Sequence, residues 1–118
     1  MPNPPANPIL PSLRVDGEML IASVSGEIDL HNSAELRGAL LGAVNKYQPK
    51  KIILNLAQVP YMDSSAVAVL VEALQKLRKI GGQVVLTNLQ PRVKGLLEIA
   101  RLNTVFGVAA SEEEAMKK

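Results

Sequence analysis

Apolar residues recur along this chain at two spacings, and each change of spacing marks a new element. Two β-prone runs, Ser12–Val15 and Met19–Ser25, flank Asp16-Gly17. Asp-Gly between such runs predicts a hairpin. From Ser33 the spacing lengthens to that of a helix, with Leu36, Ala39, Leu40, Ala43, Val44 and Tyr47 on one face. Asn32-Ser33-Ala34-Glu35 reads as a capping box at its start, and Gln48-Pro49 ends it. Gly38 and Gly42 inside it each cost roughly 1 kcal/mol against alanine, and close packing on a sheet would explain them. KIILNL (51–56) then shows the near-continuous apolar run of a buried strand.

Residues 64–80 return to helical spacing and stop at Gly81-Gly82. At 100° per residue, Val67, Leu70, Val71, Leu74 and Leu77 form a core stripe. Ala66, Val69, Ala73 and Ile80 widen the apolar arc to roughly 200°, against the roughly 100° a surface helix needs. Either the helix is deeply buried, or Val69 and Ala73, with Ala66 and Glu72 beside them, belong to a partner-binding patch. QVVLTN (83–88) reads as the next buried strand. Pro91 opens another helix, carrying Val93, Leu96, Leu97 and Ala100. Val105–Ala109 follows as a short strand. Ser111-Glu112-Glu113-Glu114 caps a last helix that ends in Lys117-Lys118, placed to meet its dipole.

The predicted order is β-β-α-β-α-β-α-(β)-α. Strands alternating with helices imply an α/β fold with a mostly parallel sheet, made mixed by the hairpin. Four to five strands and about four helices are expected, as one domain over residues 12–118. Five of the eight prolines fall in residues 1–11, which reads as an extended flexible tail.

Composition narrows the chemistry. Apolar residues make up 47% of 118, enough for one aliphatic core, with one Phe, two Tyr and no Trp. A net charge of +2 and so few aromatics argue against nucleic-acid binding. The absence of cysteine excludes disulfides, thiol catalysis and cysteine-based metal sites. One histidine and carboxylates placed mostly in caps offer no metal-ligand spacing, so no cofactor is expected. No apolar run approaches the roughly 18 residues of a membrane span. A cytoplasmic protein without membrane insertion is the expectation.

The stretch VPYMDSSAVAVL (59–70) carries the most specific signal. Asp63 or Ser64 can cap the helix, and one cap is enough. On the helical wheel Ser64 falls at the edge of the core and Ser65 on the outer side. Ser65 is therefore a spare hydroxyl in a first turn. A phosphate there meets free N–H groups and the positive dipole end, so it would alter the surface and spare the fold.

These residues resemble the anti-sigma factor antagonists, bacterial proteins built on the STAS domain. GEIDLHNSAEL, VPYMDSSAVAVL and GGQVVLTNLQPRVKGLLEIARLNTVFGV carry the likeness, in order, over most of residues 12–115. The resemblance implies a STAS fold with Ser65 as the serine a partner kinase phosphorylates. Asp63 and Ser64 would frame it, and Asp29 would be the acidic residue of the nearby loop. It further implies that the unphosphorylated chain binds an anti-sigma factor, often itself a serine kinase, and so releases a sigma factor. Phosphorylation would end the binding and a serine phosphatase would restore it. One departure is Ala66, where many members have glycine.

Other functions are less well supported. Ser64, Ser65, His31, Asp29 and Asp63 permit a Ser-His-Asp arrangement on paper. The G-x-S-x-G elbow is absent, however, and His31 has no evident orienting partner, so no enzyme is expected. Gly81-Gly82 follows a helix and precedes a strand, the wrong order for a phosphate loop. Lys46, Lys50 and Lys51 read as solvated ends. The alternative within the same fold is a constitutive interaction subunit, either a stress-complex scaffold or a lipid-transport accessory protein, with Ser65 unmodified.

Overall fold

The computed structural model describes residues 8–118. The predicted hairpin forms as β1 (Ser12–Asp16) and β2 (Met19–Ser25), paired antiparallel around Gly17 at φ 62°. Three further strands, β3 (Lys51–Gln58), β4 (Gln83–Thr87) and β5 (Gly107–Ala109), add in parallel. The sheet order is β1-β2-β3-β4-β5, mixed and mostly parallel, as the alternating pattern implies. The last strand is shorter than expected, because Phe106 turns inward and is buried before pairing begins.

Period-2 alternation sorts the strand residues between two faces. Leu20, Ala22, Ile52, Leu54, Val84 and Leu86 face the large core, which the helices α1 (Ser33–Tyr47), α2 (Ser64–Arg78) and α3 (Pro91–Ile99) cover. Ile21, Ile53, Val85 and Ala109 face the other side, where the short helix α4 (Glu112–Met116) seats Ala115 against them. Ser111 caps α4 by accepting from the Glu114 N–H at 3.1 Å.

Several sequence expectations need correction. Ile9 and Leu10, placed in the tail, are buried in the core, and the Ile9 carbonyl accepts from the Ser25 N–H at 3.0 Å. The rest of the proline-rich stretch, residues 1–7, lies outside the described residues. Gly38 and Gly42 face solvent, and a Cβ at either would meet nothing within 4 Å, so sheet packing does not explain them. Lys51 is buried, not solvated. Its ammonium donates to the Ala115 carbonyl at 3.0 Å and to the Lys118 carbonyl, so it neutralises the end of α4 in place of Lys117 and Lys118. Gly82 is where close approach does require glycine, since a Cβ there would meet the Lys50 carbonyl at 2.8 Å.

The α2 wheel resolves toward burial. Ala66 and Ala73 are 0% exposed and Val69 5%. Helix α1 packs against α2, and Arg37 grips Glu72 through two bonds of 2.9 and 2.7 Å. That pairing roofs the flank of the arc, so Ala66, Val69 and Ala73 belong to the core and form no surface patch. Only Glu72 of the four stays partly exposed, and Arg37 holds it.

Candidate functional site

The loops leaving β2 and β3 are zipped together beyond the sheet. Gly26 donates to the Gln58 carbonyl at 2.9 Å, and Ile28 to that of Tyr61 at 3.0 Å. Asp63 donates back to the Ile28 carbonyl at 3.0 Å, and Ile28 and Met62 form a parallel bridge. Two segments far apart in sequence thus share one end of the sheet. That zipper brings the Asp29 loop beside the start of α2.

Asp63 is the N-cap of α2, with extended backbone and a carboxylate that accepts from the Ser65 N–H at 2.9 Å. The same oxygen accepts from the Ser65 hydroxyl at 2.5 Å. This hydroxyl, ahead of the N–H groups of Ser65, Ala66 and Leu30, holds the Asp63 carboxyl below the usual carboxylate range, against an opposing push from burial. Asp63 is thus charged across the neutral range, and its charge sits against the Ser65 oxygen.

The serines exchange the environments read from the wheel. Ser64 is exposed and Ser65 half-buried. An ideal wheel fails here because the cap pulls the Ser65 side chain back toward Asp63. Ser65 keeps partial access to water, and its oxygen lies at the helix mouth, where Asp63 accepts from the N–H groups of the first turn. The Ala66 methyl is buried, so its replacement of glycine adds no bulk over Ser65.

Asp29 organises its own loop. Its carboxylate accepts from the His31 N–H at 2.8 Å, and its carbonyl accepts from Ser33 at 2.8 Å. Asn32 does not cap α1. It accepts from the Asp29 N–H at 2.9 Å and donates to the Glu27 carbonyl at 2.8 Å, which ties the loop instead. No bond joins Asp29 to Ser65; the two meet only through the zipped backbone. His31 does have a partner, with Nδ1 3.3 Å from the Asp29 carboxylate, but it bonds to neither serine hydroxyl. Among the described residues no group of three or more potential ligands could hold a metal, and no helix is long and apolar enough to cross a membrane.

On the other side of the turn lie Tyr61 and the helix α3. The Arg92 guanidinium stands 4.7 Å from the centre of the Tyr61 ring, a cation–π contact. Neither Arg92 nor Tyr61 stood out in the sequence as a site residue. Tyr61, one of only two tyrosines and next to Met62-Asp63, was the available signal.

A mixed five-stranded sheet with three helices on one face, and a serine-bearing helix mouth at one end, defines the class. The STAS domain model matches residues 11–115, and the chain belongs to the STAS domain family. The anti-sigma-B factor antagonist of Bacillus subtilis is 31% identical over 91 residues, 77% of this chain and 82% of that one. The anti-sigma factor antagonist SpoIIAA in its unphosphorylated form superposes with a TM-score of 0.78 at 27% identity, over 90% of this chain and 92% of that one. The Bacillus SpoIIAA in its phosphorylated form matches with a TM-score of 0.69 at 26% identity, over 90% and 96%.

Proposed function

We propose that this chain is an anti-sigma factor antagonist whose partner binding is switched by phosphorylation of Ser65. The observation that carries the reading is the Ser65 hydroxyl, half-exposed at the mouth of α2 and held 2.5 Å from the Asp63 carboxylate. The likeness to SpoIIAA, a protein with both an unphosphorylated and a phosphorylated form, supports it. In the unphosphorylated state the chain binds an anti-sigma factor and frees a sigma factor. A serine kinase, the anti-sigma factor itself in this reading, supplies the phosphate, and a serine phosphatase removes it. The compartment is the cytoplasm.

Physical chemistry gives the switch its sign. Phosphate brings roughly −1.5 to −2 charges to a turn where Asp63 is already ionised. The carboxylate and phosphate repel, and the Ser65 N–H that the carboxylate gives up passes to the phosphate at the positive end of the helix. Asp63 loses its cap role while α2 keeps an anionic one. The fold survives, and the surface around Leu30, Asp63 and Ser64 becomes strongly negative. The enzyme reading gains nothing, since the Asp29–His31 pair bonds to no hydroxyl.

The test uses wild type, Ser65→Ala and Ser65→Asp as baits in lysate of the source organism, with intact mass before and after phosphatase. The reading expects a kinase-type protein on wild type and Ser65→Ala, its loss from Ser65→Asp, and a removable phosphate on wild type. The same partner on all three baits, with no phosphate, would point instead to a fixed STAS interaction subunit.

A further inference from the structure

A helix between two parallel strands must run back, so α1 and α2 end where β3 and β4 begin. The end of α4 comes to the same place, because Lys51 and Gln83 both donate to the Lys118 carbonyl. Cations collect there. Lys46 lies in the last turn of α1, Lys76 and Arg78 in that of α2, and Lys79 is the C-cap of α2. Lys50 donates to the Ile80 carbonyl between them. Lys117 and Lys118 follow α4 on the other face of the sheet. All but Lys76 are exposed, and none forms an ion pair among the described residues. Lys76 acts in part on Glu72, behind the larger pull of Arg37. The acids at this end are Asp16 and Glu18 of the hairpin turn, whose Glu18 carbonyl accepts from the Lys50 N–H at 2.8 Å.

Helix dipoles do not use up this charge. Three C-terminal ends carry about −0.5 each, and the buried Lys51 ammonium already serves α4. Seven cations against two acids leave a local surplus. Screening in physiological salt reaches only about 8 Å, so a partner meets that surplus and not the net +2. The opposite end carries Glu27, Asp29, Asp63 and the Glu112-Glu113-Glu114 run, with Arg92 and Lys94 among them. Geometry then selects among anionic partners. The cations stand on both faces of the sheet, so one nucleic-acid groove cannot reach them all, whereas a plane can. Six of the seven are lysine, a hydrated point charge suited to mobile headgroups, without the fork of arginine. The Tyr47 ring is already covered by the Lys46 ammonium, 5.2 Å from its centre, and offers no stacking platform. We propose that this basic end adsorbs on a membrane surface rich in anionic phospholipid, through headgroup contact without insertion. Helix α2 spans about 20 Å from there to Ser65, so the bound chain presents its helix mouth away from the lipid. The proposal does not rest on the antagonist reading.

Vesicle flotation with the full chain tests it, comparing phosphatidylcholine alone with phosphatidylcholine carrying about one-third phosphatidylglycerol. The expected result is binding to the anionic vesicles only, at least about tenfold weaker in about 0.5 M salt. Lys79→Gln and Lys117→Gln, on opposite faces of the sheet, should each bind about fivefold more weakly, and the double variant more than about tenfold. Lys94→Gln, the same charge change at the other end, and Ser65→Asp should stay within about twofold of wild type. Melting curves check each fold. Absence of any preference for anionic vesicles overturns the proposal, as does a Lys94→Gln loss equal to that of Lys79→Gln. A loss confined to one of the two lysines contradicts contact with a plane. Tighter binding of a DNA duplex than of the vesicles at the same salt would give this end to nucleic acid and overturn the proposal too.

Discussion

Asp63 accepts from both the N–H and the hydroxyl of Ser65, and that double acceptance governs the turn. A carboxyl whose value falls on folding adds stability above its unfolded value, and the gain disappears as pH drops through the folded one. Asp63 therefore stabilises the protein at neutral pH, and its contribution begins to fade below about pH 4 and is gone once pH has fallen through its lower folded value. Asp63→Ala should melt a few degrees below wild type at about pH 7, and the gap should narrow by about pH 3. A gap equal at both values contradicts the role. A second residue-level prediction concerns Thr87, buried with its hydroxyl unpaired. Thr87→Val removes an unsatisfied group at nearly constant shape, and chemical denaturation should show a gain of about 1 kcal/mol. The site was half legible at this scale. DSS at a helix start revealed a cap and a spare hydroxyl, but the ideal wheel could not say which serine the cap would draw inward. The Asp29 loop failed as a capping box for a related reason. Asn32 has two functional ends, and its bonds to Glu27 and Asp29 within the same loop outcompeted the helix N–H groups.

Elements were more legible than contacts. The hairpin at Asp16-Gly17, Pro91 opening α3 and the Ser111 cap all follow from local chemistry, and each stands as the pattern implies. Which helix covers which face does not follow from local chemistry. The apolar arc of α2 admitted either a partner patch or a second helix, and the Arg37–Glu72 link shows α1 against it. Lys51 is the parallel case, because only the fold brings Ala115 and Lys118 to its ammonium. Gly38 and Gly42 give the test at this scale. Both sit in a solvent-facing helix interior with open space around them. Gly38→Ala and Gly42→Ala should each stabilise by roughly 0.5–1 kcal/mol, read as a rise of a few degrees in Tm. Gly82→Ala should do the opposite, since its Cβ would meet backbone. Stabilisation by Gly82→Ala would contradict the packing of α2 onto the Lys50 turn.

At the scale of the whole molecule, the sheet is a rigid base that holds a chemically small site. Backbone bonds between the β2 and β3 exits set the Asp29 loop against the α2 mouth, and α3 supplies a groove on the far side. In the proposed switch the site needs no moving part in the fold, because adding charge at one hydroxyl would be enough to change what the surface accepts. Ser65→Asp should therefore melt close to wild type while losing its partner. Circular dichroism alongside the binding assay checks that separation, and loss of fold in Ser65→Asp would refute it.

The central claim is that Ser65, not the more exposed Ser64, carries the phosphate. The most direct measurement is intact mass of wild type, Ser64→Ala and Ser65→Ala after incubation with the captured kinase-type partner, ATP and magnesium. The account predicts one added phosphate on wild type and on Ser64→Ala, and none on Ser65→Ala. Phosphate that persists on Ser65→Ala and vanishes from Ser64→Ala, or that appears on no variant, would contradict it.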